Sequence, residues 1–347
     1  MKKSTILLSF TFLFAMSGCT DDGQEATVPA PEYEKPRVTV ILSDGGLGDL
    51  GYNDIIMEGI MRFYSKSDVS MSLISPSTDD DAQRSVSTWL NQTKGGEKSL
   101  LVLAEESYGE LAKSIGDKLA SNQHVLVFEY NDENLPTGVT SFFIDRYGVA
   151  WLAGRMCGVH PTATVIAARP GASTLETAIE GFSDGYREGS GNPASVFYLA
   201  DSDEGYNMAD SAYKMTNRFT RTIILPLAGG SNNGIYKHTR EVFNLNMALG
   251  MDVDCSQRCQ NVPFSLVVKI DSLVEKHMTD WLTGSIPDGL IRYGLSDGVT
   301  DIVTAPRFTE MADILEDYIL KDPQYWDHAY AAYKDEAIRK EQEHEEH

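Results

Sequence analysis

An α/β fold of two lobes, each a parallel sheet flanked by helices, is what this 347-residue sequence predicts. Three observations carry the prediction. Short runs of apolar, often β-branched residues alternate strictly with segments of helical period, the pattern of parallel strands joined by covering helices. The alternation comes as two successive series of about five strands each, in a chain long enough for two domains. No short repeat of fixed period points to a solenoid instead.

The elements follow in order. Residues 1–18 begin with Met1-Lys2-Lys3 and continue into an apolar stretch too short to span a bilayer, which reads as a signal peptide. Small residues then precede Cys19, as in a bacterial lipoprotein signal, so Cys19 is the expected lipidation site and first mature residue. Residues 19–36 are acidic and hold Pro29, Pro31 and Pro36, the composition of a solvated linker. A buried strand is predicted at 38–42 and an amphipathic helix from Tyr52 to Tyr64, with Ile55, Ile56, Ile60 and Phe63 on one side. Strands follow at 69–75, 99–104, 124–130 and 139–143, with helices at 79–93, 108–120 and 147–158. The second series places strands at 164–168, 195–200, 222–227 and 246–250, with helices at 174–188, 209–218 and 233–243. A strand at 264–270, a helix at 271–282, extended chain at 289–303 and a helix at 309–321 complete the body. The charged 326–347 segment reads as a solvated external helix or a frayed tail.

The formal charge of −22 disfavours nucleic acid as a partner. Beyond the signal no apolar run of about 18 residues appears, so no membrane span is expected. Cys255 and Cys259 lie in one short loop and are expected to form a disulfide in an oxidising compartment, whereas Cys157 reads as a core residue. A Cys255–Cys259 metal pair would need further ligands that the neighbouring sequence does not supply, and no metal or other cofactor is expected.

The loop between the first strand and helix concentrates chemistry: Asp44, Asp49, Tyr52 and Asn53 sit among four glycines. In α/β units such loops, at the carboxyl ends of strands, hold ligands. Gly46-Leu47-Gly48-Asp49-Leu50-Gly51 matches a dinucleotide fingerprint literally. Asp44 and Asp49 would repel a pyrophosphate, however, and 71–76 lacks the acid that should meet a ribose. A loop facing hydroxyl donors is the better reading; a turn requiring glycine geometry is the plain one. Asp79-Asp80-Asp81 stands where a helix should begin and complements its dipole, so it does not suggest a metal-dependent hydrolase. No catalytic set is recognisable, and no enzyme is predicted.

Several fragments then resemble the basic membrane protein family of bacterial lipoproteins, which includes purine nucleoside receptors. They are the acidic loop ending in Tyr52-Asn53, then Trp151-Leu152-Ala153-Gly154, and Gly181-Phe182-Ser183-Asp184-Gly185. Ala228-Gly229-Gly230, Gly250-Met251-Asp252-Val253-Asp254 and Ser265-Leu266-Val267-Val268-Lys269 follow in order. The resemblance implies a type I periplasmic-binding fold with three crossings and a ligand cleft. The crossings would fall near 143–147, Pro263 and Gly289, giving lobe 1 as 37–144 with 264–288 and lobe 2 as 145–263 with 289–325. It implies ligand contacts from Asp44, Asn53 and Asp252, ring stacking on Tyr52, donation from Lys269, and close backbone approach at Gly229 and Gly230. Carboxylates suit ribose hydroxyls and rings suit a base. Tyr206 is the candidate second ring, and Asp49 and Glu106 further polar contacts, Glu106 being a departure from the family pattern. Plainer readings stand beside these: Tyr52 as a core residue, Asp252 as a turn cap, Lys269 reaching solvent, and Asp49 as an N-cap. The implied function is a lipid-anchored, extracytoplasmic solute-binding protein in the cell envelope that captures a nucleoside-like small molecule for an ABC permease. The alternative is a sensor for a sugar-like ligand that signals to a membrane partner.

Overall fold

The computed structural model describes residues 35–43, 47–48, 52–242, 245–258, 261–306 and 324–346. The helix expected at 309–321, the expected signal peptide, the expected linker up to residue 34, Cys19, Asp44, Asp49 and Cys259 lie outside them.

Lobe 1 is built on six parallel strands in the order β12-β5-β4-β3-β1-β2. These are β1 (Arg37–Ile41), β2 (Ser70–Ile74), β3 (Ser99–Leu103), β4 (Gln123–Phe128), β5 (Val139–Ile144) and β12 (Gly289–Tyr293). On one face pack α1 (Tyr52–Lys66) and α8 (Ile270–Thr283), whose Ile56, Ile60, Phe63, Leu273, Val274 and Met278 share a core with Val38, Val40 and Leu100. On the other pack α2 (Asp79–Gln92) and α3 (Gly109–Ile115), closing over Ile41, Leu101 and Val125. α2 starts as its residue types demand: the Thr78 side chain accepts from the Asp81 backbone N–H, and the three aspartates occupy the positive first turn. The helix expected at 108–120 is shorter, α3 being flanked by 3-10 turns at Glu106–Tyr108 and Gly116–Lys118.

Lobe 2 carries a parallel sheet in the order β7-β6-β8-β9, from β6 (Ala163–Ala167), β7 (Ser195–Tyr198), β8 (Ile223–Leu227) and β9 (Met247–Ala248). A second sheet joins β10 (Gly250–Asp252), β11 (Phe264–Val268) and β13 (Thr300–Thr304), with β13 antiparallel. Its helices are α4 (Tyr147–Met156), α5 (Ser173–Ser190), α6 (Ala209–Thr216), α7 (Asn232–Glu241) and α9 (Tyr325–Glu345). α4 and α5 cross with almost no side chain between them. A methyl group on Gly181 would strike the carbonyl of Tyr147, one on Gly185 that of Trp151, and one on Gly154 that of Phe182. Two fragments of the family resemblance are therefore packing motifs of lobe 2 rather than ligand contacts.

Two boundaries move relative to the sequence reading. Phe264 and Leu266 point into the lobe 2 core beside Ile302, so β11 belongs to lobe 2 and the second crossing falls after Val268, not near Pro263. β12 pairs with β5, so it belongs to lobe 1 and the third crossing runs through Gly294–Val299 rather than at Gly289. The first crossing lies between Ile144 and Tyr147. The carboxyl-terminal segment, expected as a solvated external helix or a frayed tail, is a packed helix. α9 buries Trp326, Ala329 and Ala337, sets the Trp326 ring 5.1 Å from that of Phe264, and donates from Tyr325 Oη to the Met156 carbonyl at 2.9 Å.

Candidate ligand-binding cleft

The strand ends of both lobes converge on one cleft, with a cavity volume of about 180 Å³. Its walls hold Tyr52, Asn53 and Glu106 from lobe 1, and Tyr206, Gly229, Gly230 and Asp252 from lobe 2. Seven of the residues singled out in the sequence thus meet around one space. Lys269 does not join them: it is exposed on the second crossing, just before α8, and its backbone N–H donates to the Val299 carbonyl at 2.9 Å. Cys255 is buried behind β10, its Sγ 3.6 Å from the Met251 carbonyl oxygen.

Tyr52 opens α1, and Asn53 accepts from the Ser43 hydroxyl at the end of β1, at 2.9 Å. The Tyr52 hydroxyl lies 3.5 Å from Glu129 Oε1. Burial first, and the Glu129 charge second, hold its phenol protonated far above the ordinary range.

Glu129 and Arg146 were not anticipated, yet they form the most buried ion pair of the cleft. Arg146 Nη2 donates to Glu129 Oε1 at 2.7 Å and Nη1 to Oε2 at 3.3 Å. Nη1 also donates to the Ile144 carbonyl at 2.9 Å, and the Ile144 N–H returns a bond to Glu129 Oε2 at 3.0 Å. The side chains are 9% and 4% exposed, which is tolerable only because each partner neutralises the other. Burial works against the guanidinium charge, but Glu129 outweighs it and lifts the Arg146 pKa. Glu129 has φ 61° and Asp252 φ 66°, left-handed backbone that a side-chain-bearing residue adopts at a cost.

Across the cleft, Ser231 ties two lobe 2 segments together. Its hydroxyl donates to the Gly205 carbonyl at 2.7 Å and accepts from the Met208 N–H at 2.6 Å. That bond pair fixes the turn carrying Tyr206, whose ring lies over Gly229: a Cβ there would sit 3.0 Å from Cδ1. Gly229, at φ 52°, therefore makes room for the ring as well as for the turn. The Tyr206 phenol is pushed up to about 12, chiefly by burial, with Arg169 opposing.

Glu106 reaches from lobe 1 to lobe 2, accepting from the Ser173 hydroxyl at 3.0 Å and standing 3.7 Å from Arg169, which is also paired with Asp203. Burial raises the Glu106 pKa, against the Ser173 hydrogen bond. Arg169, Glu129 and Asp203 share a signal that could have found them: each lies just past the carboxyl end of a strand, or in the turn after it. Among the described residues no three His, Cys, Asp or Glu side chains stand together as a metal site, and no helix is long and apolar enough to cross a membrane.

Comparison with known proteins fits this geometry. The profile of the Bmp family, described as ABC transporter substrate-binding protein PnrA-like, matches residues 36–328. An uncharacterised lipoprotein of Pyrococcus abyssi is 24% identical over 343 residues, covering 90% of this chain and 80% of the relative. Among solved structures, an ABC transporter solute-binding protein of Aeropyrum pernix superposes with a TM-score of 0.66 at 18% identity, covering 89% of this chain and 90% of that one. A sugar ABC transporter protein of Yersinia enterocolitica does so at 0.61 with 13% identity, over 84% and 94%. A transcriptional activator from Bacillus halodurans, at 0.57 and 19% identity over 82% and 97%, has the same fold.

Proposed function

Given that the chain belongs to the PnrA-like family of ABC transporter substrate-binding proteins, we propose that it captures a nucleoside between its lobes and delivers it to an ABC importer. The family is one of substrate-binding proteins rather than enzymes, and a small-molecule ligand and a membrane permease are the partners it implies. The single observation that supports a nucleoside is the pairing of Tyr52 from one lobe with Tyr206 from the other around a cavity that also exposes Glu106 and Asp252. Two aromatic faces suit a flat base, and carboxylates suit vicinal ribose hydroxyls through charge-assisted hydrogen bonds. Closure then follows from differential affinity: a ligand touching both lobes binds the closed state better than the open one. Asp44 and Asp49, on the same loop as Tyr52, are proposed as further ligand contacts in the first lobe.

Lipid anchoring through Cys19 completes the reading. It is supported by the basic and apolar start of the chain and by the Pyrococcus relative, which is described as a lipoprotein. Mass spectrometry of the mature amino terminus, with Cys19→Ala as control, tests it.

The ligand is tested by thermal shift of the mature domain against nucleosides, free bases, pentoses and hexoses. A ligand at 100 times its dissociation constant stabilises by about 2.7 kcal/mol. The reading expects a shift with inosine, guanosine or adenosine that disappears in Asp252→Ala. A shift with sugars alone overturns the nucleoside assignment while leaving the solute-binding role intact.

A further inference from the structure

The carboxyl-terminal helix holds a buried acid that the binding chemistry does not use. Glu341, 1% exposed, lies on α9 and points at the third crossing. Its Oε2 accepts from the Leu295 N–H at 2.9 Å and its Oε1 from the Ser296 N–H at 3.1 Å. Two glycines clear the space. A methyl on Gly294, in the third crossing, or on Gly148, just after the first, would collide with the Glu341 carboxylate. The first crossing is tied into the same place, since the Asp145 N–H donates to the Tyr293 carbonyl at 2.7 Å. His344, one turn further along α9, stacks on Tyr147 with ring centroids 4.1 Å apart.

The same stripe of α9, nearer its start, is fastened to lobe 2. Tyr330 Oη donates to Asp301 at 2.7 Å, Lys334 pairs with the same carboxylate at 3.1 Å, and Lys340 pairs with Glu188 at 3.0 Å. α9 is thus a strut anchored on one lobe, with a single carboxylate gripping the backbone that leads to the other.

We propose that Glu341 is a positioning residue for lobe movement, clamping the third crossing to lobe 2 and so setting how readily the cleft opens. The backbone amides of a hinge must change their torsions when domains rotate. Two of them held by one buried carboxylate resist that change until the carboxylate lets go. The inference rests on the reading that the lobes move about the three crossings, but not on the identity of the ligand.

A pH dependence comes with the clamp. Burial first, then the charges of Asp145 and Glu345, push the Glu341 carboxyl up to about 7, against the two backbone hydrogen bonds that lower it. Around it stand Asp145 from the first crossing and Glu345 and His344 from its own helix, with Arg292 of β12 and Asp297 of the third crossing beyond Glu345. A released Glu341 would titrate at its ordinary value of 4.5. The clamped state therefore binds a proton that the released state gives up. Clamping is strongest below the ordinary value, weakens as pH rises toward 7, and is level above that.

Hydrogen exchange of the ligand-free protein, read at Leu295 and Ser296 against the strand amides of β6 and β8, tests this. In Glu341→Met, which keeps the stem and removes both acceptors, exchange should rise tenfold or more at the two crossing amides with the strands unchanged, and small-angle scattering should show a larger ligand-free radius of gyration. Equal rises everywhere would mean that Glu341 merely stabilises lobe 2, and no rise at the crossing would mean that it clamps nothing; either overturns the proposal. If the variant fails to fold, the wild-type protein decides. Its Leu295 and Ser296 amides, corrected for intrinsic exchange, should be protected more than tenfold over open chain at about pH 5, and protection no greater than that of open chain overturns the clamp. Neither measurement uses a ligand, so a failed nucleoside screen leaves this test standing.

Discussion

Replacing Arg146 by methionine tests how the cleft floor is held together. The change keeps a long apolar stem and removes the guanidinium, and with it two hydrogen bonds to Glu129 and one to the Ile144 carbonyl. Glu129, with its side chain 4% exposed, is left as a buried charge with its cation gone. Breaking a buried pair from one side costs about 3–5 kcal/mol, because the surviving charge is stranded in low dielectric. At about 2.1 cal/mol/K per residue, roughly 310 folded residues give about 1.5 °C per kcal/mol, so the melting temperature should fall by about 5–8 °C at neutral pH. The double variant Glu129→Met with Arg146→Met removes the stranded charge and should recover to within about 2 kcal/mol of the wild type, since apolar replacement of a buried pair is often neutral. Urea denaturation of the wild type, both single variants and the double variant closes the cycle and gives a coupling energy. If the two single losses simply add in the double variant, the pair does not act as a unit, and the account of the cleft floor given above is wrong.

Three further outcomes follow from the same geometry. Gly229→Ala places a Cβ against Tyr206 at a residue with φ 52°, and should cost about 1–3 kcal/mol of stability while weakening ligand binding, read by chemical denaturation and calorimetry. Gly185→Val forces α5 off the Trp151 carbonyl and should lower the denaturation midpoint by the equivalent of about 3 kcal/mol or more, with lobe 1 amides exchanging as before. Stability should also fall as pH drops from about 6.5 toward 4. His160 and His277 are driven down to about 4, chiefly by burial, so the unfolded chain binds protons there that the folded chain refuses. Each contributes a slope of at most about 1.4 kcal/mol per pH unit; urea midpoints across that range should flatten in His277→Gln, and an unchanged profile would contradict the assignment.

The sequence was most legible where periodicity is local. Strand and helix positions in both lobes followed from runs such as 99–104 and 164–168, because a strand buried on both faces is apolar along most of its length. What periodicity does not carry is which sheet a strand enters. β11 and β12 look alike as short apolar runs, and only long-range pairing sends one to lobe 2 and the other to lobe 1. α9 misled for a related reason. Its composition is rich in charge, yet its anchor residues Trp326, Ala329 and Ala337 are few and spaced along one side, and one of its acids is itself buried. The aromatic and acidic cleft residues Tyr52, Tyr206 and Asp252 could be named because their motifs stand at strand–helix turns. Glu129 and Arg146 could not be paired, since nothing in a chain read one residue at a time says that a strand end and a crossing meet.

That meeting has a mechanical consequence. Glu129 ends a lobe 1 strand, Arg146 lies on the first crossing, and Asp252 ends a lobe 2 strand; all three line the cleft, and both acids sit in left-handed backbone. The Asp252 charge reinforces that of Glu129 in holding Arg146 protonated. A cation on the crossing with an acid from each lobe beside it makes the electrostatic energy of the floor depend on how the lobes are turned. Opening that draws Asp252 away weakens one attraction while the Glu129 pair stays intact, and a ligand that bonds to Asp252 competes directly with Arg146. Were Asp252 a ligand contact, as proposed above, ligand binding and lobe angle would be coupled through this guanidinium. It follows that Arg146→Lys, which keeps the charge but loses the bidentate fork, should change the ligand-free distribution of lobe angles more than it changes the melting temperature.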